Sequence, residues 1–524
     1  MPCTPAGTID STIGLCPCTG QGFFGSIPKE CFASEDRFFL RPVQYPVPNE
    51  PNPMELEMKH LVARLKLQLL LCVFFIFGCG AHSVANPSAD ATLPTPTRAP
   101  TASNGVLSME VIPQYGVVLS DSDGSLNVLL RLKGQENKST KRPDLDLAIV
   151  LDRSGSMSGG KIVSVKTAAL KLLDELNESD RVTLISYASN VQLHAKSVKL
   201  DAEGKASLKN HILGIRSGGS TALGPALFQA LDHLEGGDRG TTSLAHVMLL
   251  SDGLANVGPK NPEVIGRRTA LAFKHGITVS TLGVGLDYNE DLMTRVADQG
   301  GGRYHFIENE TTVAKVLQDE LASLSGTVAG GTEIALRAKN NVKISKVFGY
   351  PTEEKDGVTR IKIGAIGSGQ TREIVVQLAI KPKSKGPFDV GTFELSFRDV
   401  AKESKAQTVR LPLSLKVSSD TAVVKASEQV EVTVRVAEVE SATRLEHAAR
   451  AVDKGDYAGA KKVLNESLTS LRKQNVATPS AVLQQQIEDL EEAESGIAEA
   501  QRSEKARKKY VKGNKARNYK SMKK

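Results

Sequence analysis

Residues 145–162 read Leu-Asp-Leu-Ala-Ile-Val-Leu-Asp-Arg-Ser-Gly-Ser-Met-Ser-Gly-Gly-Lys-Ile, and this stretch decides the fold. Leu147 to Leu151 form a short, unbroken apolar run, which suits a strand buried on both faces of a parallel sheet. The run stops at Asp152. Ser154 and Ser156 follow at alternate positions in a glycine-containing turn, and a helical pattern opens near Lys161. One carboxylate and two hydroxyls thus gather at the carboxyl end of a predicted strand, an oxygen-rich set suited to a hard cation such as Mg2+.

Three oxygens do not close an octahedron, so further ligands are expected from later loops at the same sheet edge. Thr221 lies in Ser-Gly-Gly-Ser-Thr-Ala-Leu-Gly, a glycine-rich loop that opens a predicted helix at 222–234, and Ser220 offers a hydroxyl one residue earlier. Asp252 ends the apolar strand 247–250 in Leu-Leu-Ser-Asp-Gly. Taken singly, these residues read as helix caps and a turn. In this order, each at a strand end or a helix start, they read as one site.

Here the chain resembles the von Willebrand factor type A family, whose metal-ion-dependent adhesion site (MIDAS) is Asp-x-Ser-x-Ser followed by a distant Thr and a distant Asp. The resemblance maps Asp152, Ser154, Ser156, Thr221 and Asp252 onto that metal shell. It implies a bound Mg2+ or Mn2+, with Ca2+ the less expected ion, and a protein partner whose Asp or Glu completes the shell.

A competitor occupies the same residues. Gly155 to Lys161 reads G-x-x-x-x-G-K, the phosphate-cradling loop of nucleotide-hydrolysing enzymes, with the 247–252 strand and Asp as its Mg2+ support. The match fails at its last position, where Ile162 offers hydrocarbon in place of a Ser or Thr. Ser158-x-x-Lys161 resembles the opening motif of penicillin-recognising enzymes, but no Lys-Thr-Gly follows. No H-E-x-x-H, G-x-S-x-G or Cys/His metal cluster occurs, so the site is read as binding without catalysis. The same residues are also compatible with a metal-free structural lipoprotein and with a subunit serving a separate ATPase.

The 524 residues suffice for about three domains at ~150 residues each. All six cysteines (Cys3, Cys16, Cys18, Cys31, Cys72, Cys79) precede residue 80, so the remainder folds without disulfides. From Met58, Lys59, Arg64 and Lys66 give a positive segment, and 67–77 a short apolar one, the pattern of a secretory signal at 58–79. It ends Ile76-Phe77-Gly78-Cys79, which looks like the lipobox of a bacterial lipoprotein. Cys79 is then the lipidated first residue and the membrane anchor. By resemblance, Gly80 after it favours the outer membrane of the envelope of a two-membrane bacterium. Residues 1–57 are read as a non-native or disordered extension, with Met54 or Met58 as the true start.

Residues 80–104 form a Pro/Thr/Ser-rich tether. Strand-like runs at 106–113 and 126–132 lie within a segment, 105–140, expected to pair with a later β-sandwich. Over 141–326 strands (145–151, 182–187, 191–200, 245–250, 277–284, 304–307) alternate with helices (161–176, 207–212, 222–234, 262–274, 290–297, 312–324). That alternation predicts an α/β, doubly wound, mainly parallel sheet, with ligands at the strands' carboxyl ends. Seven alternating segments (332–336, 342–349, 359–366, 373–380, 388–397, 408–417, 430–436) predict a β-sandwich domain at 327–437. The α/β unit is therefore expected as an insertion into the sandwich. Residues 438–500 turn helical, with a tetratricopeptide-like turn at 451–460. The tail, 501–524, is basic: from Arg502 onward it carries 11 Lys or Arg against one Glu, a net of +10 in a chain of net +7, which leaves −3 elsewhere. It reads either as a solvated, disordered end or as a segment drawn to anionic surfaces such as lipid headgroups. Nucleic acid is not expected as a partner of an exported protein.

Overall fold

The computed structural model describes residues 100–136, 142–237, 243–339, 341–383, 386–402 and 405–524. The predicted signal segment, Cys79 and the tether up to residue 99 lie outside the described residues. Four strands come first: β1 (Thr101–Ser103), β2 (Leu107–Pro113), β3 (Val117–Leu119) and β4 (Gly124–Gly134). β1 pairs antiparallel with β2, so the end of the predicted tether is a strand and not a free linker. The ladder satisfies backbone groups that a proline-rich composition alone leaves to water.

An α/β unit follows. Its elements are β5 (Leu145–Asp152), α1 (Gly160–Glu175), β6 (Arg181–Tyr187), β7 (Val191–Lys199), α2 (Ala202–Gly214), α3 (Leu223–Glu235), β8 (Leu244–Ser251), α4 (Pro262–Lys274), β9 (Ile277–Val284), α5 (Glu290–Gln299), β10 (Gly301–Ile307) and α6 (Val313–Ser325). The strand order is β10-β9-β8-β5-β6-β7. Every pairing is parallel except that of β6 with β7. All eight residues of β5 are buried, because helices cover both faces. Leu147, Ile149 and Leu151 pack under α1, α2 and α6, while Ala148 and Val150 pack under α3, α4 and α5. Each fully buried Leu or Ile contributes about 1.5–3 kcal/mol. In α1, Val165, Ala168, Ala169, Leu172 and Leu173 supply the buried stripe at helical spacing. Asp201, Asn261 and Asn289 cap α2, α4 and α5 through their side-chain oxygens, which ends each preceding loop at a defined residue.

Seven strands come next: β11 (Thr327–Ala338), β12 (Val342–Val347), β13 (Thr352–Lys355), β14 (Val358–Gly367), β15 (Thr371–Ile380), β16 (Gly386–Asp399) and β17 (Lys405–Ser418). They combine with the first four into two sheets, β1-β2-β4-β15-β12 and β13-β14-β11-β16-β17-β3. Facing residues from both, among them Leu107, Val128, Leu130, Val376, Ile334, Phe393 and Leu411, form one core. β4 and β15 pair from Thr371↔Lys133 to Ile380↔Gly124, closing the sandwich around the intervening α/β unit.

The chain ends in helices: α7 (Thr421–Ala426), α8 (Val430–Asp453), α9 (Tyr457–Ala477), α10 (Ala481–Ala500) and α11 (Glu504–Met522). Two expectations are corrected here. The alternating valines of 430–436, predicted as the sandwich's last strand, are the first turns of α8. Val432, Val436, Val439 and Ala442 lie on the outer face of the five-stranded sheet, against Ile112, Leu129 and Val375, while Ala437, Leu445, Ala448 and Val452 join the core of the helical bundle. Two apolar surroundings on opposite sides of one helix mimic period two, and packing overrides β propensity. The last strand therefore ends at Ser418, short of the predicted boundary at 437.

The basic tail is likewise not a solvated, disordered end, since it forms α11. Val511 and Met522 are buried, and its lysines find acids of the same chain. Lys512 Nζ donates to Tyr288 O (2.8 Å) and Glu290 Oε2 (2.6 Å). Lys515 reaches Glu290 and Asp291, and Lys523 reaches Asp298. Acidic residues of the same chain, Glu290, Asp291 and Asp298 among them, line the tail's counter-surface. Among the described residues no helix is long and apolar enough to cross a membrane.

Candidate metal centre

The strand order reverses between β5 and β8, so a crevice opens at their carboxyl ends, the usual ligand position in such sheets. Asp152 is the last residue of β5, and Asp252 follows the last residue of β8. Both are fully buried.

Asp152 is held by neutral donors. Its Oδ1 accepts from Ser154 N (2.8 Å) and its Oδ2 from Ser251 Oγ (2.7 Å). Burial pushes its carboxyl above the usual range, and these donors offset part of the push. Ser156 Oγ donates to Asp252 Oδ1 (2.6 Å) and lies 3.1 Å from Ser154 Oγ. Since the single Ser156 proton goes to Asp252, Ser154 donates between the two hydroxyls. Gly155 to Met157 wind into one 3-10 turn, which brings the two serines to the same side.

Thr221 comes from the loop before α3. Its amide donates to Asn256 Oδ1 (2.7 Å), and its carbonyl accepts from the amides of Asn256 (3.1 Å) and Val257 (3.3 Å). The glycine-rich loop is tied to the first motif by Gly155 N donating to Gly219 O (2.9 Å) and Gly218 N to Arg153 O (2.8 Å). Three loops are thereby laced into one rim. A β-carbon placed on Gly253 would lie 3.3 Å from both Ser156 Oγ and Thr221 Oγ1, and 3.9 Å from Ser154 Oγ. Three hydroxyls therefore converge on one small cradle. Ser220 instead gives its amide to Ser189 Oγ (3.0 Å). All five predicted positions come together; Cys79 lies outside the described residues.

The donor set fits a hard divalent cation: only oxygens, three of them neutral hydroxyls, with two buried carboxylates. Asp152 has no ion-pair partner among the described residues, so the cradle retains negative charge that a cation would balance. Among the described residues no cluster of three His, Cys, Asp or Glu side chains suited to a metal occurs, and this hydroxyl-rich site needs none.

Three contributors carry no signature in the motif itself. Ser251 supports Asp152, Asn256 fixes Thr221, and Lys161 pairs with Asp252 through Nζ and Oδ2 at 2.5 Å. A lone Ser closing the apolar run 247–250 of β8 is the sequence signal for Ser251. Beside the site, Arg153 Nε donates to Ser186 Oγ (3.2 Å).

The model of the von Willebrand factor type A domain matches residues 146–320. The chain is 32% identical to the uncharacterized protein YfbK of Escherichia coli over 37% of this chain and 34% of that one. It is 23% identical to the uncharacterized protein sll0103 of Synechocystis over 57% of this chain and 72% of that one. To human inter-alpha-trypsin inhibitor heavy chain H4 it is 27% identical, over 58% and 32%. The matched part thus spans about a third of the YfbK and H4 sequences. Two solved structures share the fold: the von Willebrand factor type A protein from Catenulispora acidiphila (TM-score 0.64, 17% identity, 80% of this chain and 98% of that one), and the ArnB paralog VWA2 from Sulfolobus acidocaldarius (TM-score 0.51, 15% identity, 80% and 100%). Residues 146–320 are a von Willebrand factor type A domain, with an α/β core and a hydroxyl-and-carboxylate cradle at the carboxyl edge of its sheet.

Proposed function

We propose that this chain is a cation-dependent protein-binding module, serving adhesion or scaffolding, on an exported protein anchored through lipidated Cys79 to the outer membrane of a bacterial envelope. The observation that carries the site is the convergence of Ser154, Ser156 and Thr221 hydroxyls beside the buried Asp152 and Asp252. These five residues would hold Mg2+ or Mn2+, with Ca2+ as the less favoured ion. When bound, the cation supplies an electrophilic coordination position that a partner's Asp or Glu completes.

The chain's own residues set the terms of that encounter. Ser154, Ser156 and Thr221 offer uncharged oxygens, which leave positive charge unspent for an incoming carboxylate. Ser251 and the Ser154 amide fix the Asp152 carboxylate before any partner arrives. Leu254, 59% exposed two residues beyond Asp252, offers the partner an apolar contact at the rim. The reading involves no catalysis. The nucleotide alternative requires a free lysine, whereas Lys161 is paired with Asp252 and Ile162 packs at the edge of the core under α1.

The test is a thermal-shift titration of the chain with Mg2+, Mn2+ and Ca2+, and separately ATP, beside Ser154→Ala and Thr221→Ala. A ligand bound only by the folded state at 100 times its Kd stabilises by about 2.7 kcal/mol. Stabilisation by Mg2+ or Mn2+ that disappears in both variants supports the reading. A response to ATP alone would overturn it.

A further inference from the structure

Lys161 is the residue that the site does not yet explain. Its ammonium lies 2.5 Å from Asp252 Oδ2, and Asp252 is fully buried. It stands in the first turn of α1, where a positive charge opposes the helix macrodipole and where no acidic residue is present. A nearby anion offsets that cost. Gly285, in the loop after β9, lies beside the side chain: a β-carbon on it would be 3.5 Å from both Lys161 Cε and Nζ, an ordinary contact distance. Among the described residues no other cation lies within ion-pair distance of either site carboxylate.

We propose that Lys161 is a built-in counter-cation of the metal site. This rests on the cation-dependent reading above. Before a divalent cation binds, the ammonium neutralises Asp252 and holds its carboxylate where Ser156 can hydrogen-bond it. The cradle is thus pre-formed without metal, because the buried carboxylate never lacks a partner. The same charge lowers the cradle's affinity for a cation. Asp152 and Asp252 carry −2 and Lys161 returns +1, so the three groups carry −1. With a divalent ion the total becomes +1, a net charge that draws an acidic ligand. Lys161 therefore exchanges intrinsic metal affinity for attraction to a carboxylate: the metal is held weakly alone and firmly once an acidic partner closes the site.

The experiment measures Mn2+ binding to the full chain by calorimetry and by the loss of the free-Mn2+ electron paramagnetic resonance signal. It compares wild type with Lys161→Met, Lys161→Arg and Gly253→Ala, and adds melting curves in EDTA and in Mn2+. Lys161→Met is expected to melt lower than wild type in EDTA, to be rescued by Mn2+, and to bind Mn2+ at least about tenfold tighter than wild type. Lys161→Arg keeps the charge and is expected to stay within about threefold of wild type. Equal Mn2+ affinity in wild type and Lys161→Met, with both losing it on Gly253→Ala, would overturn the counter-cation role and leave the metal site standing. No Mn2+ binding by wild type or Lys161→Met would overturn both. Were Lys161→Met too unstable to purify, tighter Mn2+ binding by Lys161→Gln would support the proposal and unchanged binding would sink it.

Discussion

Arg131 on β4 and Glu373 on β15 face each other as direct partners in an antiparallel ladder, 242 residues apart, with Arg131 Nε 2.8 Å from Glu373 Oε1. The guanidinium also reaches Glu110 on β2 and Glu431 on α8. One side chain thus ties the strand before the α/β unit to the strand and helix after it. Arg131→Met leaves three carboxylates facing one another in a partly buried setting. With solvent screening, the expected loss is roughly 1–3 kcal/mol. Urea unfolding read by circular dichroism checks this, and a change below about 0.5 kcal/mol would mean that the ladder holds without the charge.

Gly253 marks the cradle. Gly253→Ala places a methyl group against the hydroxyls of Ser156 and Thr221, where a β-carbon approaches each to 3.3 Å. That spacing is tight but not a collision, so the apo fold is expected to lose no more than about 1 kcal/mol. Mn2+ stabilisation is expected to disappear. A variant that still binds Mn2+ at wild-type affinity would place the cation elsewhere.

Glu290 anchors the tail. Burial pushes its carboxyl up, but hydrogen bonds and charge from Lys512 and Lys515 outweigh burial and bring it down to about 2. A folded value below the unfolded one means stability that is present above the unfolded value of about 4.5 and lost as pH falls toward about 2. Burial also pushes the Lys512 ammonium down, which offsets part of the gain. Glu290→Gln leaves the buried Lys512 without a carboxylate and Lys515 with Asp291 alone, and is expected to cost about 3 kcal/mol at neutral pH. It should also increase proteolysis within 504–522, measured by limited trypsin digestion, while an unchanged cleavage pattern would show that α11 is held by apolar contacts alone.

His246 predicts a second acid limit. It is buried beside Thr278, with its Nδ1 2.7 Å from Thr278 Oγ1. Burial brings its pKa down from 6.5 to about 4, despite the favourable charge of Glu320. The folded imidazole resists protonation, so the unfolded chain binds more protons between those values. Stability is therefore expected to fall as pH drops from 6.5 to 4, by up to about 3 kcal/mol. His246→Gln is expected to flatten that slope in unfolding measurements across pH 4–7, whereas a slope of wild-type size would assign it to other groups.

Much of the site is legible locally. Asp152, Ser154 and Ser156 sit within five residues at a strand end, so their meeting depends on one turn and not on the rest of the chain. The apolar run of β5 and the regular stripes of α1 and α3 likewise carry their own periodicity. Thr221 and Asp252 follow from the order of motifs, since each belongs to a loop at the same sheet edge.

Tertiary structure decided the rest, because those outcomes depend on partners far away in sequence. Val430 to Val436 alternate as a strand would, yet a sheet on one side and a helical bundle on the other made them a helix. The tail's +10 net charge in isolation predicts repulsion and disorder; Glu290, Asp291, Asp298 and Glu438 turn it into a docked helix. Lys161 follows the same rule. Its spacing suggests a phosphate loop, and only the adjacency of β5 and β8 brings it to Asp252. Sequence by itself determined which groups carry charge and which segments have an apolar face. Folding decided which charges meet, because attraction between buried groups acts over a few ångströms and only the packed chain brings them that close.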